Sequence, residues 1–174
     1  MVGNKKRLYL ALYPVGMACG HTELKYHLAF LMSPKVEDNP RALAVRFHVK
    51  NPMGTGWRYV EDVITDPRSS TRLLVRILIA KITDEGGLIE VFRNTPICRD
   101  DPKFDCQSWA VDALSRLSNN GTIVGTSELD WDKIREKAFS YAAGKNSGGR
   151  FSRGQDMTKP KPTWDMLQDK EIIP

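Results

Sequence analysis

Three side chains in this sequence could share acyl-transfer chemistry: the thiol of Cys106 and the imidazoles of His27 and His48. Cys106 stands in Asp105-Cys106-Gln107-Ser108-Trp109, where Pro102 keeps the preceding chain out of helix. Asp105 is a good N-cap, because its carboxylate can accept from the open N–H groups of a first turn. The thiol then falls at the first helical position, where those N–H groups and the macrodipole favour the thiolate, the form that attacks carbon. Cys106, Trp109, Ala110, Ala113, Leu114 and Leu117 keep helical spacing, so the sulfur ends an apolar stripe turned toward the core. The competing reading is a structural cysteine on a core helix, since free cysteine is among the most buried residue types.

The histidines need strands to bring them together. Residues 26–32 and 43–49 read as two strands around an exposed connection, 33–42, that holds two prolines, an asparagine and a run of charge. Paired antiparallel about the middle of that connection, Met32 faces Leu43, Phe30 faces Val45 and Leu28 faces Phe47 on an apolar side. The same register sets His27 opposite His48, Ala29 opposite Arg46 and Leu31 opposite Ala44 on the other side, where the alanines leave room for a helix. A thiol at a helix N-terminus, a strand histidine to take and return its proton, and a further polar group to fix the imidazole make the Cys-His arrangement of acyl transfer. Glu61 or Asp62 could orient a histidine, but a solvated carboxylate on a strand face is the expectation for both.

The remaining elements follow the same rules. Residues 8–13 form a short apolar strand ended by Pro14, 57–64 alternate as a strand, and 73–82 are a β-branched central strand. A short helix is expected over 88–93, and an amphipathic helix from Asp130 to Ala143 carries Trp131, Ile134, Ala138 and Tyr141 on one face. Residues 144–162 turn Gly-, Ser-, Lys- and Pro-rich, a linker by composition. Trp164, Met166, Leu167, Ile172 and Ile173 would let the tail dock. The class is α+β: an antiparallel sheet of about four or five strands followed by the cysteine helix. One domain spans 1–143, with 144–174 as linker and tail.

Composition bounds the partners. A chain of 174 residues, 41% hydrophobic and 27% charged, buries a real core. The net charge of +5 is spread along the chain among acids, whereas phosphate tracking needs a clustered patch, so nucleic acid is not expected. No apolar run approaches the roughly 20 residues of a membrane span, and the basic, apolar N-terminus is too short for a signal peptide. Three cysteines without framework spacing suit a reducing cytosol. Cys19 and His21 could bind zinc with Cys98 and Cys106, but structural zinc sites show tighter ligand pairs, so neither metal nor cofactor is expected.

Two short motifs carry a resemblance. Tyr26-His27-Leu28-Ala29-Phe30-Leu31 is similar to the His-aromatic-Ala/Gly-aliphatic strand of the lecithin:retinol acyltransferase-like proteins. Asp105-Cys106-Gln107-Ser108-Trp109 resembles the Asn-Cys-Gln/Glu-x-Phe/Trp element of those proteins and of the PPPDE deubiquitinase-like peptidases. Over about residues 8–118 the chain thus resembles circularly permuted papain-like thiol enzymes, with the layout of small fungal proteins among them.

The resemblance implies Cys106 as nucleophile, His27 as general base and acid, and His48 as the orienting third member. The Cys106 N–H, with Gln107 or Tyr26, would hold the oxyanion. It implies a hydrolase, such as a thiol protease, or an acyl transferase acting on an amide, ester or thioester of a peptide, protein or small acyl substrate. The alternative is a papain-like module that binds a peptide or protein without cutting it. Two features depart from the pattern. Asp105 puts negative charge beside the sulfur where asparagine is usual, opposing a low thiol pKa. The hydrophobic anchor of the acyltransferase-like relatives is missing, which argues against a phospholipid or retinoid substrate.

Overall fold

The structure, a computed structural model, describes residues 5–16, 24–37, 41–68 and 70–174. Its frame is one mixed sheet of eight strands built on a central β-rich run. β1 (Lys6–Pro14), β2 (Tyr26–Pro34), β3 (Leu43–Lys50), β4 (Arg58–Thr65) and β5 (Val75–Ile82) come first along the chain. The helices α1 (Glu85–Asn94), α2 (Cys106–Asn119) and α3 (Trp131–Ser147) follow, with β6 (Val124–Ser127) between the last two, and β7 (Thr163–Asp165) and β8 (Lys170–Ile173) close the chain. The sheet order is β4-β3-β2-β1-β5-β7-β8, with β6 also paired to β5. Neighbours are antiparallel except β5 and β7.

The two faces of the sheet differ, and strand alternation sorts the residues between them. Leu8, Leu10 and Leu12 of β1, Tyr26, Leu28, Phe30 and Met32 of β2, and Phe47 and Val49 of β3 join one apolar cluster. The same cluster takes Leu88 and Phe92 of α1, Cys106, Trp109 and Ala113 of α2, and Ile134 and Ala138 of α3, so all three helices cover this face. Phe92 stacks on Phe30 at 5.0 Å between ring centroids. On the opposite face lies a smaller cluster of Tyr9, Ala11, Tyr13, Ala29, Leu31, Leu73 and Leu78. Charge is buried there too: Arg76 Nη1 donates to Glu37 Oε1 at 2.7 Å, with the guanidinium 4.7 Å from the Tyr9 ring centroid.

Four expectations are corrected. The sheet has eight strands rather than four or five. Two of the additional strands come from the tail, whose backbone pairs with β5 as Arg76↔Thr163 and Ile77↔Trp164. The stretch 144–162 is also more ordered than its composition suggests: α3 runs on to Ser147, and the buried Lys161 ammonium donates to the Met157 carbonyl, giving a Gly- and Pro-rich segment internal polar partners.

The β2–β3 register is Phe30↔Phe47, Leu31↔Arg46 and Met32↔Val45, two residues from the one expected. A slip of two leaves every side chain on its own face, so alternation could not tell the two registers apart. Finally, the helix that approaches the hairpin covers the Phe30 face, not the Ala29 face. Alanine vacancy was the wrong guide there, because the larger apolar area lay on the other side.

Candidate functional site

Near one end of the sheet, β2, β3 and β4 hold a hydrogen-bonded line of polar side chains on the face away from the helices. The shifted register, continued along the strands, brings His48 level with Ala29, so His27 and His48 meet on a diagonal rather than directly. His27 Nε2 lies 2.9 Å from His48 Nδ1, and His48 Nε2 lies 3.1 Å from Asp62 Oδ2. The same carboxylate oxygen accepts from Arg46 Nη2 at 2.6 Å and Nε at 3.1 Å. Asp62, expected to be a solvated carboxylate, is therefore the anchor of the line. Its place follows from β3–β4 pairing, Arg46↔Asp62 and His48↔Val60, which puts it diagonal to His48 on one face. Glu61 goes to the other face and pairs with Arg93 of α1 at 2.6 Å.

The charges fix the protons. Burial first, then the electrostatic influence of His27 and of the Arg46 and Lys50 cations, push the His48 pKa down to about 3, so its imidazole is neutral. Burial alone would raise the Asp62 carboxyl, but hydrogen bonds from Arg46 and His48 outweigh it and hold the group below the usual carboxylate range. A carboxylate only accepts, so His48 Nε2–H donates to Asp62 and His48 Nδ1 becomes an acceptor. His27 Nε2–H then donates to His48, which leaves the lone pair of His27 on Nδ1. Such a line can orient an imidazole to accept a proton.

Cys106 occupies the predicted place in its helix. Asp105 Oδ1 accepts from Gln107 N at 2.9 Å and Ser108 N at 2.8 Å, and Ser108 Oγ accepts from Asp105 N at 2.8 Å, a full capping box. The thiol is 1% exposed and packs in the helix-covered cluster. His27 leaves β2 on the opposite face, paired with Tyr13 at 6.2 Å between ring centroids. Both nonetheless lie toward the same end of the sheet. Trp57, which precedes β4, packs edge-on at 5.7 Å against Phe104, two residues before the thiol. β4 begins at Arg58 opposite Lys50, where β3 ends and β2 starts.

The structure thus brings His27 and His48 together, adds Asp62, and presents Cys106 at the same end from across the sheet. Of the oxyanion candidates, Tyr26 shares the cysteine's face, edge-on to Phe139 of α3 at 5.3 Å. Gln107 Oε1 accepts from Arg135 Nε at 3.4 Å. Cys98 is exposed, while Cys19 and His21 lie outside the described residues. Among the described residues no three His, Cys, Asp or Glu side chains gather as a metal site, and no helix is long and apolar enough to cross a membrane.

A family model described as "Family of unknown function (DUF6914)" matches residues 5–173. No curated protein and no solved structure matches the chain.

Proposed function

From the premise that the chain belongs to DUF6914, a family of unknown function, we propose a cysteine-dependent hydrolase or acyl transferase acting on an amide, ester or thioester. In this reading the chain is a permuted papain-like enzyme, with Cys106 as nucleophile, His27 as base and acid, and His48 with Asp62 as positioning residues. Because the two residues leave opposite faces of the sheet, the Cys106 proton reaches His27 Nδ1 through water around the end of β2, and the sulfur bonds to the acyl carbon. The leaving group departs with that proton, and water or an acceptor then cleaves the thioester, restoring the thiol. The observation that supports it most is the His27–His48–Asp62 line, which puts the basic lone pair on Nδ1. A nucleophilic thiol outside any disulfide suits a reducing compartment such as the cytosol.

The test is incubation with p-nitrophenyl acetate followed by mass spectrometry of the intact chain and its peptides. An acetyl group on Cys106, lost in both Cys106→Ala and His27→Ala, is the expected result. Acetylation spread over lysines and unaffected by either change would contradict it.

A second reading, a binding module for a peptide or protein partner, is favoured by the burial of the thiol on the face opposite His27. It predicts no acetyl-Cys106 under any condition.

A further inference from the structure

Beside the histidine line is a cleft of about 150 Å³ lined by Tyr13, His27, Arg46, His48, Lys50 and Arg72. It is smaller than the roughly 300 Å³ at which sites for whole small molecules begin, so it has room for one end group of a ligand. Its charge is one-sided. Arg46 is neutralised by Asp62, whereas Lys50 and Arg72 are in no ion pair among the described residues. Among the described residues no carboxylate lines the cleft.

A second observation is independent of charge. The Tyr13 side chain is buried between His27 and the Arg46 guanidinium, 5.3 Å from the ring centroid; that guanidinium donates toward the phenol oxygen, and the O–H itself has no acceptor among the described residues. A buried O–H without an acceptor is costly, and a ligand oxygen in the cleft would accept from it.

We propose that this cleft binds an oxyanion head group of the substrate, a carboxylate or a phosphoryl group, with Lys50 and Arg72 supplying the charge and the Tyr13 hydroxyl donating a hydrogen bond. The proposal rests on the enzymatic reading only in calling the ligand a substrate; binding itself does not need Cys106. It narrows the substrate class to acyl compounds with an anionic group within reach of the scissile bond. Neutral lipids are disfavoured as substrates because they would leave both cations and the hydroxyl unanswered, whereas an activated ester such as p-nitrophenyl acetate needs no head-group contact to acylate a reactive thiol.

The experiment follows the imidazole resonances of His27 and His48 in the full chain by NMR while inorganic phosphate or succinate is added at constant ionic strength. A saturable shift from at least one is expected, phosphate marking a phosphoryl preference and succinate a carboxylate one. The dissociation constant should rise about tenfold or more in the Lys50→Gln/Arg72→Gln double variant and severalfold in Tyr13→Phe, the range of charge-assisted and neutral hydrogen bonds. Tyr13→Phe keeps the ring and its packing, so it reports on the hydroxyl alone. No saturable shift from either anion, or equal constants in wild type and variants, would overturn the proposal. The titration is repeated in Cys106→Ala: unchanged binding there, with no acetyl-Cys106 in the earlier test, would retain the anion site and reject the enzyme.

Discussion

The two faces of the sheet divide the protein's tasks. The helix-covered face is apolar at its centre, with Phe30, Phe47, Phe92 and Trp109 in one aromatic cluster, and it takes the weight of folding. The other face carries fewer apolar contacts and most of the buried polar ones: Arg76–Glu37, Arg46–Asp62 and the two histidines. An apolar face tolerates little loss of volume, whereas a polar one is sensitive to protons. Cys106 belongs to the first by packing, and its proposed partners belong to the second.

The largest effect that would break this division lies on the apolar side. Trp109→Ala, at a fully buried ring between Phe30, Phe92 and Tyr59, should cost about 3–5 kcal/mol in a urea melt. A cost below 1 kcal/mol would mean that this face does not dominate stability.

The polar side should show itself through pH. His48 is depressed from 6.5 to about 3 in the folded chain, so between those values the unfolded chain binds more protons. Stability therefore falls as pH drops through that window, by up to about 1.4 kcal/mol per pH unit from this one group. The lowered Asp62 pKa adds loss in the same direction at its acidic end. His48→Gln should flatten the slope between pH 6.5 and 4, read from urea midpoints across pH; an unchanged slope would place the proton elsewhere.

The smallest effect lies at the junction of the two. Asp105→Ala removes the carboxylate that accepts from Gln107 N and Ser108 N, and should cost about 1 kcal/mol. Asp105→Asn keeps an acceptor and should cost less than half of that, which separates capping from charge.

Much of this was legible from the residues. The N-cap at Asp105, the thiol at the first position of α2 and the apolar stripe behind it follow from local rules that tertiary packing did not disturb. The meeting of His27 and His48 was also foreseen, though from a register displaced by two, because both histidines keep their face under such a slip. Asp62 was weighed as an orienting group beside Glu61, but solvation was preferred for both because β-sheets resist local reading: its partner sits 14 residues away on a neighbouring strand. Alternation from His48 across the turn at 51–57 was the available signal. The side taken by α2 was misread because alanines at positions 29 and 44 suggested space, while Phe30 and Phe47 offered the area that drives packing. The tail strands were hidden by brevity, three and four residues long.

The central claim is that Cys106 and His27 act together around the end of β2, and iodoacetamide tests it directly. In the folded chain near neutral pH, Cys106 should be alkylated faster than the exposed Cys98 despite its burial, and His27→Ala should slow Cys106 about tenfold or more while leaving Cys98 unchanged. Labelling of Cys98 alone, with Cys106 protected until the chain unfolds and indifferent to His27, would contradict the account.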